Sequence, residues 1–127
     1  MTDKNSTKVL LVDDEPNIRV ALRFLVQNEG YQVLEAANGE EALQKMEEHQ
    51  PDIVVLDVMM PGIDGFEVAK RIRATPNFEH TRIIFLTAKG TQNDRFQGYA
   101  TGGEVYLTKP FDNAELINTI NEVVEFG

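Results

Sequence analysis

The sequence predicts a doubly wound α/β domain built on a five-stranded parallel sheet with five helices, and three observations carry that expectation. Short apolar blocks recur along the 127 residues: Val9-Leu10-Leu11-Val12, Val33-Leu34, Ile53-Val54-Val55-Leu56 and Ile83-Ile84-Phe85-Leu86, with a weaker fifth at Val105-Tyr106-Leu107. Three of these blocks are unbroken rather than alternating, which is the pattern of strands whose two faces are both covered by helices. Stretches of helical spacing separate the blocks through connections of a few residues, so strand and helix alternate five times.

The first helix is marked by Ile18, Ala21, Leu22, Leu25 and Val26 at intervals of three and four; Pro16 suits its first turn and Gly30 its end. Ala42, Leu43 and Met46 mark a second helix, and Val68, Ala69 and Ile72 a third. Phe96, Tyr99 and Ala100 give a short, glycine-flanked fourth, and Leu116, Ile117, Ile120, Val123 and Val124 the last. There is no repeat of fixed period, no linker and no low-complexity segment, so residues 1–127 read as a single domain. At this length a domain buries a sizeable core without covalent staples.

Composition narrows the function classes. Cysteine is absent, which excludes disulfides, thiolate metal sites and cysteine nucleophiles. The N-terminal MTDKNSTK is polar, and no apolar run approaches a membrane span, so the chain is expected to be soluble, cytoplasmic and free of the membrane. A formal net charge of -9 repels nucleic acid over the molecule as a whole and directs attention to proteins, cations and small molecules.

Ligands of open parallel sheets bind beyond the carboxyl ends of the strands, so the residues that follow each block are the informative ones. Asp13-Asp14-Glu15 follow the first block, Asp57 the third, Thr87 the fourth, and Thr108-Lys109-Pro110 the fifth. A small carboxylate cluster with room for water suits Mg2+, a lysine offers a point charge to phosphoryl oxygens, and a threonine offers a hydroxyl donor. Phosphoryl transfer needs positioning and charge stabilisation above all, and this set supplies both while leaving one carboxylate as acceptor. Singly, each residue has a plainer reading. An aspartate after a strand forms turns or caps helices, Asp14 reads equally as the cap of the helix at Pro16, and Tyr106 reads as an aromatic half covering the sheet. Placed together at successive strand ends, they favour chemistry.

The segments LLVDDE, VVLDVMMPGIDGFE, FLTAKG and YLTKPF, in that order, resemble the receiver domains of two-component response regulators, from about Lys8 to Phe126. The resemblance implies a flavodoxin-like strand order 2-1-3-4-5. It implies Asp57 as phosphoacceptor, with Mg2+ held directly by Asp14, Asp57 and the backbone carbonyl of Met59, and by Asp13 through water. It implies that Lys109 holds the phosphoryl group, that Thr87 and Tyr106 couple phosphorylation to shape, and that the bond before Pro110 is cis. A histidine kinase or histidine phosphotransfer protein would be the donor, and an unidentified protein target or output domain the recipient of the signal. The chain would be a signalling module, with no chemistry beyond its own phosphorylation and dephosphorylation.

Departures from the family's pattern give further expectations. Gly102-Gly103 followed by Glu104-Val105 predicts a looser loop before the fifth strand. The last helix is acidic, with Glu115, Glu122 and Glu125 and no base, so it lacks the arginine that receivers of the OmpR-like DNA-binding class use for dimerisation. Met59 and Lys89 stand where the family varies its rate of self-dephosphorylation. A phosphohydrolase of the haloacid dehalogenase type would need an aspartate two residues after its nucleophile, where Met59 stands. Dinucleotide binding would need a G-x-G-x-x-G after the first strand, and none is present. His49 and His80 have no ligand pattern around them and read as surface residues. The sequence stops directly after the last helix, consistent either with a stand-alone regulator or with a receiver taken from a longer chain.

Overall fold

The computed structural model describes residues 4–88 and 90–126, so Lys89 lies outside the described residues. Its elements alternate as β1 (Lys8–Val12), α1 (Pro16–Asn28), β2 (Gln32–Ala36), α2 (Gly39–His49), β3 (Ile53–Leu56), α3 (Gly65–Ala74), β4 (Arg82–Thr87), α4 (Gln92–Ala100), β5 (Val105–Thr108) and α5 (Asn113–Phe126). All strand pairs are parallel, in the order β2-β1-β3-β4-β5. The expected fold class and strand order are both present.

Successive residues of a strand point to opposite faces, and here both faces are apolar. Leu10, Val12, Val54, Leu56, Ile83 and Phe85 face one way and pack with Ala42 and Met46 of α2 and Phe66, Val68, Ala69 and Ile72 of α3. Val9, Leu11, Ile53, Val55, Ile84 and Leu86 face the other way and pack with Leu22 and Val26 of α1 and Leu116, Ile120 and Val123 of α5. Burying each of the larger side chains contributes about 1.5–3 kcal/mol before the cost of ordering. The two clusters clamp the central strands, so whatever those strands carry at their ends is held rigidly.

Helix ends are set by local chemistry. The Asn38 and Asp64 side chains accept amide hydrogens of Glu41 and Glu67, and Thr91 with Asp94 forms a reciprocal capping box that starts α4. Gly30, at φ 109, turns the chain after α1 as expected from a left-handed glycine. The loop before β5 departs from expectation. Instead of being loose, it is tied: Arg73 Nε and Nη2 donate to the Gly102 carbonyl at 3.0 and 2.8 Å, and Nη2 lies 2.7 Å from Glu104 Oε1. The glycines permit close approach rather than motion, since Gly102 has φ 105 and a Cβ on Gly103 would lie 2.6 Å from Phe85 Cε2.

Candidate functional site

The sheet order reverses direction between β1 and β3, and this switch point opens a crevice at the carboxyl ends of the strands. β1 delivers Asp13 and Asp14 there, and β3 delivers Asp57, whose amide donates to Val12 O at 3.0 Å and so locks the two strand ends in register. Carboxylate oxygens of Asp13, Asp14 and Asp57 all lie within 4.8 Å of one another. Asp13 and Asp57 are 2% and 6% exposed, while Asp14 is the least buried of the three. Asp14 does not cap the neighbouring helix, because the N-cap of α1 is Glu15, whose side chain makes no capping bond.

β5 supplies the counter-charge. Lys109 Nζ donates to Asp13 Oδ2 at 2.9 Å and stands 3.5 Å from Asp57 Oδ2. Burial works against this ammonium, but the hydrogen bond to Asp13 and the charges of Asp57 and Asp13 outweigh it, holding the Lys109 pKa above its ordinary value. The backbone ties it to β4, with Lys109 N donating to Thr87 O at 2.8 Å. As expected from the sequence, the Lys109–Pro110 bond is cis. Met59 N donates to Asp57 Oδ1 at 3.2 Å, which brings that peptide to the site while its side chain stays 60% exposed.

Among the described residues three carboxylates thus face one ammonium, an imbalance that a hard divalent cation corrects. The donors are all oxygen, as Mg2+ prefers, and an open cavity of about 300 Å³ lined by Asn38, Glu40, Pro61 and Ile63 adjoins the cluster on the side of Asp14. The residues present therefore fit that ion.

Thr87 is fully buried at the end of β4. Tyr106 is 2% exposed, deeper than a half-covered edge aromatic, with its ring centroid 5.6 Å from that of Phe85. Arg95 of α4 lies over the Tyr106 ring at 5.6 Å, donates to its carbonyl at 3.1 Å and to Thr108 Oγ1 at 2.6 Å. Desolvation, with the charges of Asp94 and Asp57 adding to it against Arg95, pushes the Tyr106 hydroxyl pKa up to about 12. His49 and His80 have side chains 40% and 90% exposed, beside Glu48 and Glu79, and take no part in the site.

Sequence reading missed three supports. Gly65 lets α3 begin against the Asp57 carbonyl, Arg95 covers Tyr106, and Arg19 donates to the Asp13 carbonyl at 2.8 Å. The one available signal for the last was Glu35, a charge inside a strand within reach of two arginines on α1.

A parallel sheet with an acidic crevice at its switch point, countered by Lys109, places the chain among the α/β proteins that bind their ligands at the carboxyl ends of the strands. Within that class the chain belongs to the response regulator receiver domain family, whose model matches residues 9–121. It is 45% identical over 117 residues to the transcriptional regulatory protein ResD of Bacillus subtilis, covering 92% of this chain and 48% of that protein. Its structure is similar to that of the chemotaxis response regulator CheY4 of Vibrio cholerae, with a TM-score of 0.87 and 37% identity over 92% of this chain and 98% of that one. It is also similar to the response regulator TrrA of Thermotoga maritima, solved in complex with Mg(2+)-BeF, with a TM-score of 0.83 and 40% identity, again over 92% and 98%. The chain spans about half the length of the curated relatives it matches. Among the described residues, no helix is long and apolar enough to cross a membrane.

Proposed function

We propose that this chain is a phosphoacceptor switch in which Asp57 receives a phosphoryl group from a histidine kinase or histidine phosphotransfer protein. The observation that carries the reading is the meeting of three carboxylates within 4.8 Å with Lys109. In the transfer, the P–N bond of the donor phosphohistidine breaks, its electron pair stays on the imidazole nitrogen, and an Asp57 oxygen forms the new O–P bond. Water later attacks the phosphorus, the O–P bond to Asp57 breaks with its electron pair staying on the carboxylate, and inorganic phosphate leaves.

Asp14, Asp57 and the Met59 carbonyl would hold Mg2+ directly, and Asp13 through water. Bound there, the ion would offset the charge of carboxylates and phosphoryl group together. Lys109 binds a phosphoryl oxygen, and its tie to Asp13 keeps it aimed there. The presence of Mg(2+)-BeF in the solved TrrA structure supports this use of the acidic crevice.

Phosphorylation adds close to two negative charges, and the conformation that places Thr87 and Lys109 on them gains population. Thr87 and Tyr106 would carry that change to a protein target or output domain, without direct contact to nucleic acid. Met59, standing two residues past Asp57, provides no general acid, which favours a switch over a turnover phosphohydrolase. Residues 1–127 act as one receiver domain in the cytoplasm under this reading.

Intact-mass measurement after incubation with Mg2+ and acetyl phosphate tests it. One phosphoryl group is expected on the native chain and none on Asp57→Asn; addition at another residue, or repeated turnover of a phosphate ester, overturns the reading.

A further inference from the structure

Asp13 is held from four directions. Its amide donates to Ala36 O at 3.2 Å, Oδ1 accepts from the Glu15 amide at 2.9 Å, and Oδ2 accepts from Lys109 at 2.9 Å. Its carbonyl oxygen accepts from Arg19 Nη1 at 2.8 Å. The first bond extends the sheet, the second opens α1, and the third belongs to the site. The fourth comes from a helix residue whose charge could have been spent in water.

A peptide unit is planar, so the Asp13 carbonyl oxygen shares a plane with the nitrogen and Cα of Asp14. Fixing that oxygen sets the orientation of the peptide between the two aspartates, and so limits where their side chains can point. Arg19 is itself fixed: its Nε donates to Glu35 Oε1 at 3.1 Å, and Arg23 Nη1 holds Glu35 Oε2 at 2.7 Å. The Arg19 and Glu35 side chains are only 18% and 25% exposed. Two arginines share one glutamate, so a net positive charge stands behind the acidic crevice, and a guanidinium fork can serve a carbonyl and a carboxylate at once.

We propose that Arg19 is a positioning residue for the phosphoryl-transfer site: through the Asp13 carbonyl it aims the Asp13 and Asp14 carboxylates at the divalent cation, with Glu35 as its brace. This rests on the reading of the crevice as a magnesium site. Groups that orient metal ligands typically set affinity by 10–100-fold, and Arg19, acting through a backbone carbonyl, belongs near the lower end.

The test titrates Mg2+ calorimetrically into the full unphosphorylated chain, native and as Arg19→Ala, Arg19→Lys and Glu35→Gln. It then measures Asp57 phosphorylation by acetyl phosphate at limiting and saturating Mg2+. Arg19→Ala should weaken Mg2+ binding about tenfold, with Arg19→Lys and Glu35→Gln a few-fold weaker than native, and saturating Mg2+ should restore the phosphorylation rate. Affinity within about twofold of native in Arg19→Ala, or a rate deficit that saturating Mg2+ leaves in place, overturns the proposal. If Arg19→Ala does not fold, Glu35→Gln decides it, and unchanged affinity there is equally fatal. A native chain that binds no Mg2+ sinks the magnesium reading and this proposal together, an outcome distinct from native binding that the variants leave intact.

Discussion

At the scale of single residues, the site depends on what is missing as much as on what is present. A Cβ on Gly65 would lie 2.3 Å from the Asp57 carbonyl oxygen and 2.8 Å from Val58 Cα, both backbone atoms that cannot rotate away. Gly65→Ala is therefore expected to push α3 from the end of β3, at about 1–3 kcal/mol measured by urea denaturation, despite the better helix propensity of alanine. It should also slow phosphorylation of Asp57, and a variant as stable as the native chain would refute the steric account. Asp57, Asp13, Asp14 and Lys109 were legible in the sequence because each stands where an apolar run stops, and the end of a buried strand is where a polar side chain meets solvent. Gly65 was not, because a glycine before a helix reads as a turn former until the neighbouring backbone is known. Arg19 escaped for a related reason: Glu35, a charge inside a strand, hints at a partner, but which arginine 16 residues or fewer away it pairs with is settled only when the strand is laid beside the helix.

Among the elements, β1, β3 and β4 announced themselves and β2 and β5 did so weakly, for a reason the strand order supplies. The central strands are covered on both faces and carry unbroken apolar runs, whereas β2 and β5 form the sheet edges and are only partly buried. The fourth helix was the least marked for a related reason: its buried residues are Asp94 and Gly98, whereas Phe96 and Tyr99, whose spacing suggested it, are exposed, and Gly98 lies against Tyr106. A Cβ there would stand 2.5 Å from Tyr106 Cδ2 and 3.3 Å from Phe85 Cδ2. Gly98→Ala sets a helix preference of about 0.5–1 kcal/mol against a clash of about 1–3 kcal/mol. The clash should win, leaving a net loss of stability and turning the Tyr106 ring toward solvent. With no tryptophan in the chain, and with Tyr31 and Tyr99 replaced by phenylalanine so that Tyr106 is the remaining tyrosine, quenching of tyrosine fluorescence by acrylamide reads that movement. A stabilised Gly98→Ala protein with unchanged quenching would mean that α4 shifts freely and does not hold the ring.

For the whole molecule, the groups with raised pKa values act together in alkali. Burial pushes the hydroxyls of Tyr31 and Tyr106 up to about 12, and Lys109 is raised because its carboxylate partners outweigh its burial. A group whose folded pKa exceeds its unfolded value contributes stability that is complete below the unfolded pKa and is lost as pH climbs through the folded one. For the tyrosines that window runs from the ordinary value of 10.0 to about 12, and Lys109 withdraws its contribution in the same direction. Each pKa unit is worth about 1.4 kcal/mol, so a rise to about pH 11 should remove roughly 1 kcal/mol per tyrosine. Tyr31 belongs to a chain of contacts that ties α1 to α5: its hydroxyl donates to Asn121 Oδ1, Asn121 Nδ2 donates to Glu29 at 3.0 Å, and Glu29 pairs with Lys4 at 2.6 Å. Its ionisation should therefore loosen the face of the sheet opposite Tyr106. Urea midpoints measured from about pH 8 to about pH 11 should fall with an unchanged slope, and Tyr31→Phe should show a shallower fall because it retains the ring but has no proton to lose. A midpoint flat across that range would show that neither hydroxyl is held as the structure places it.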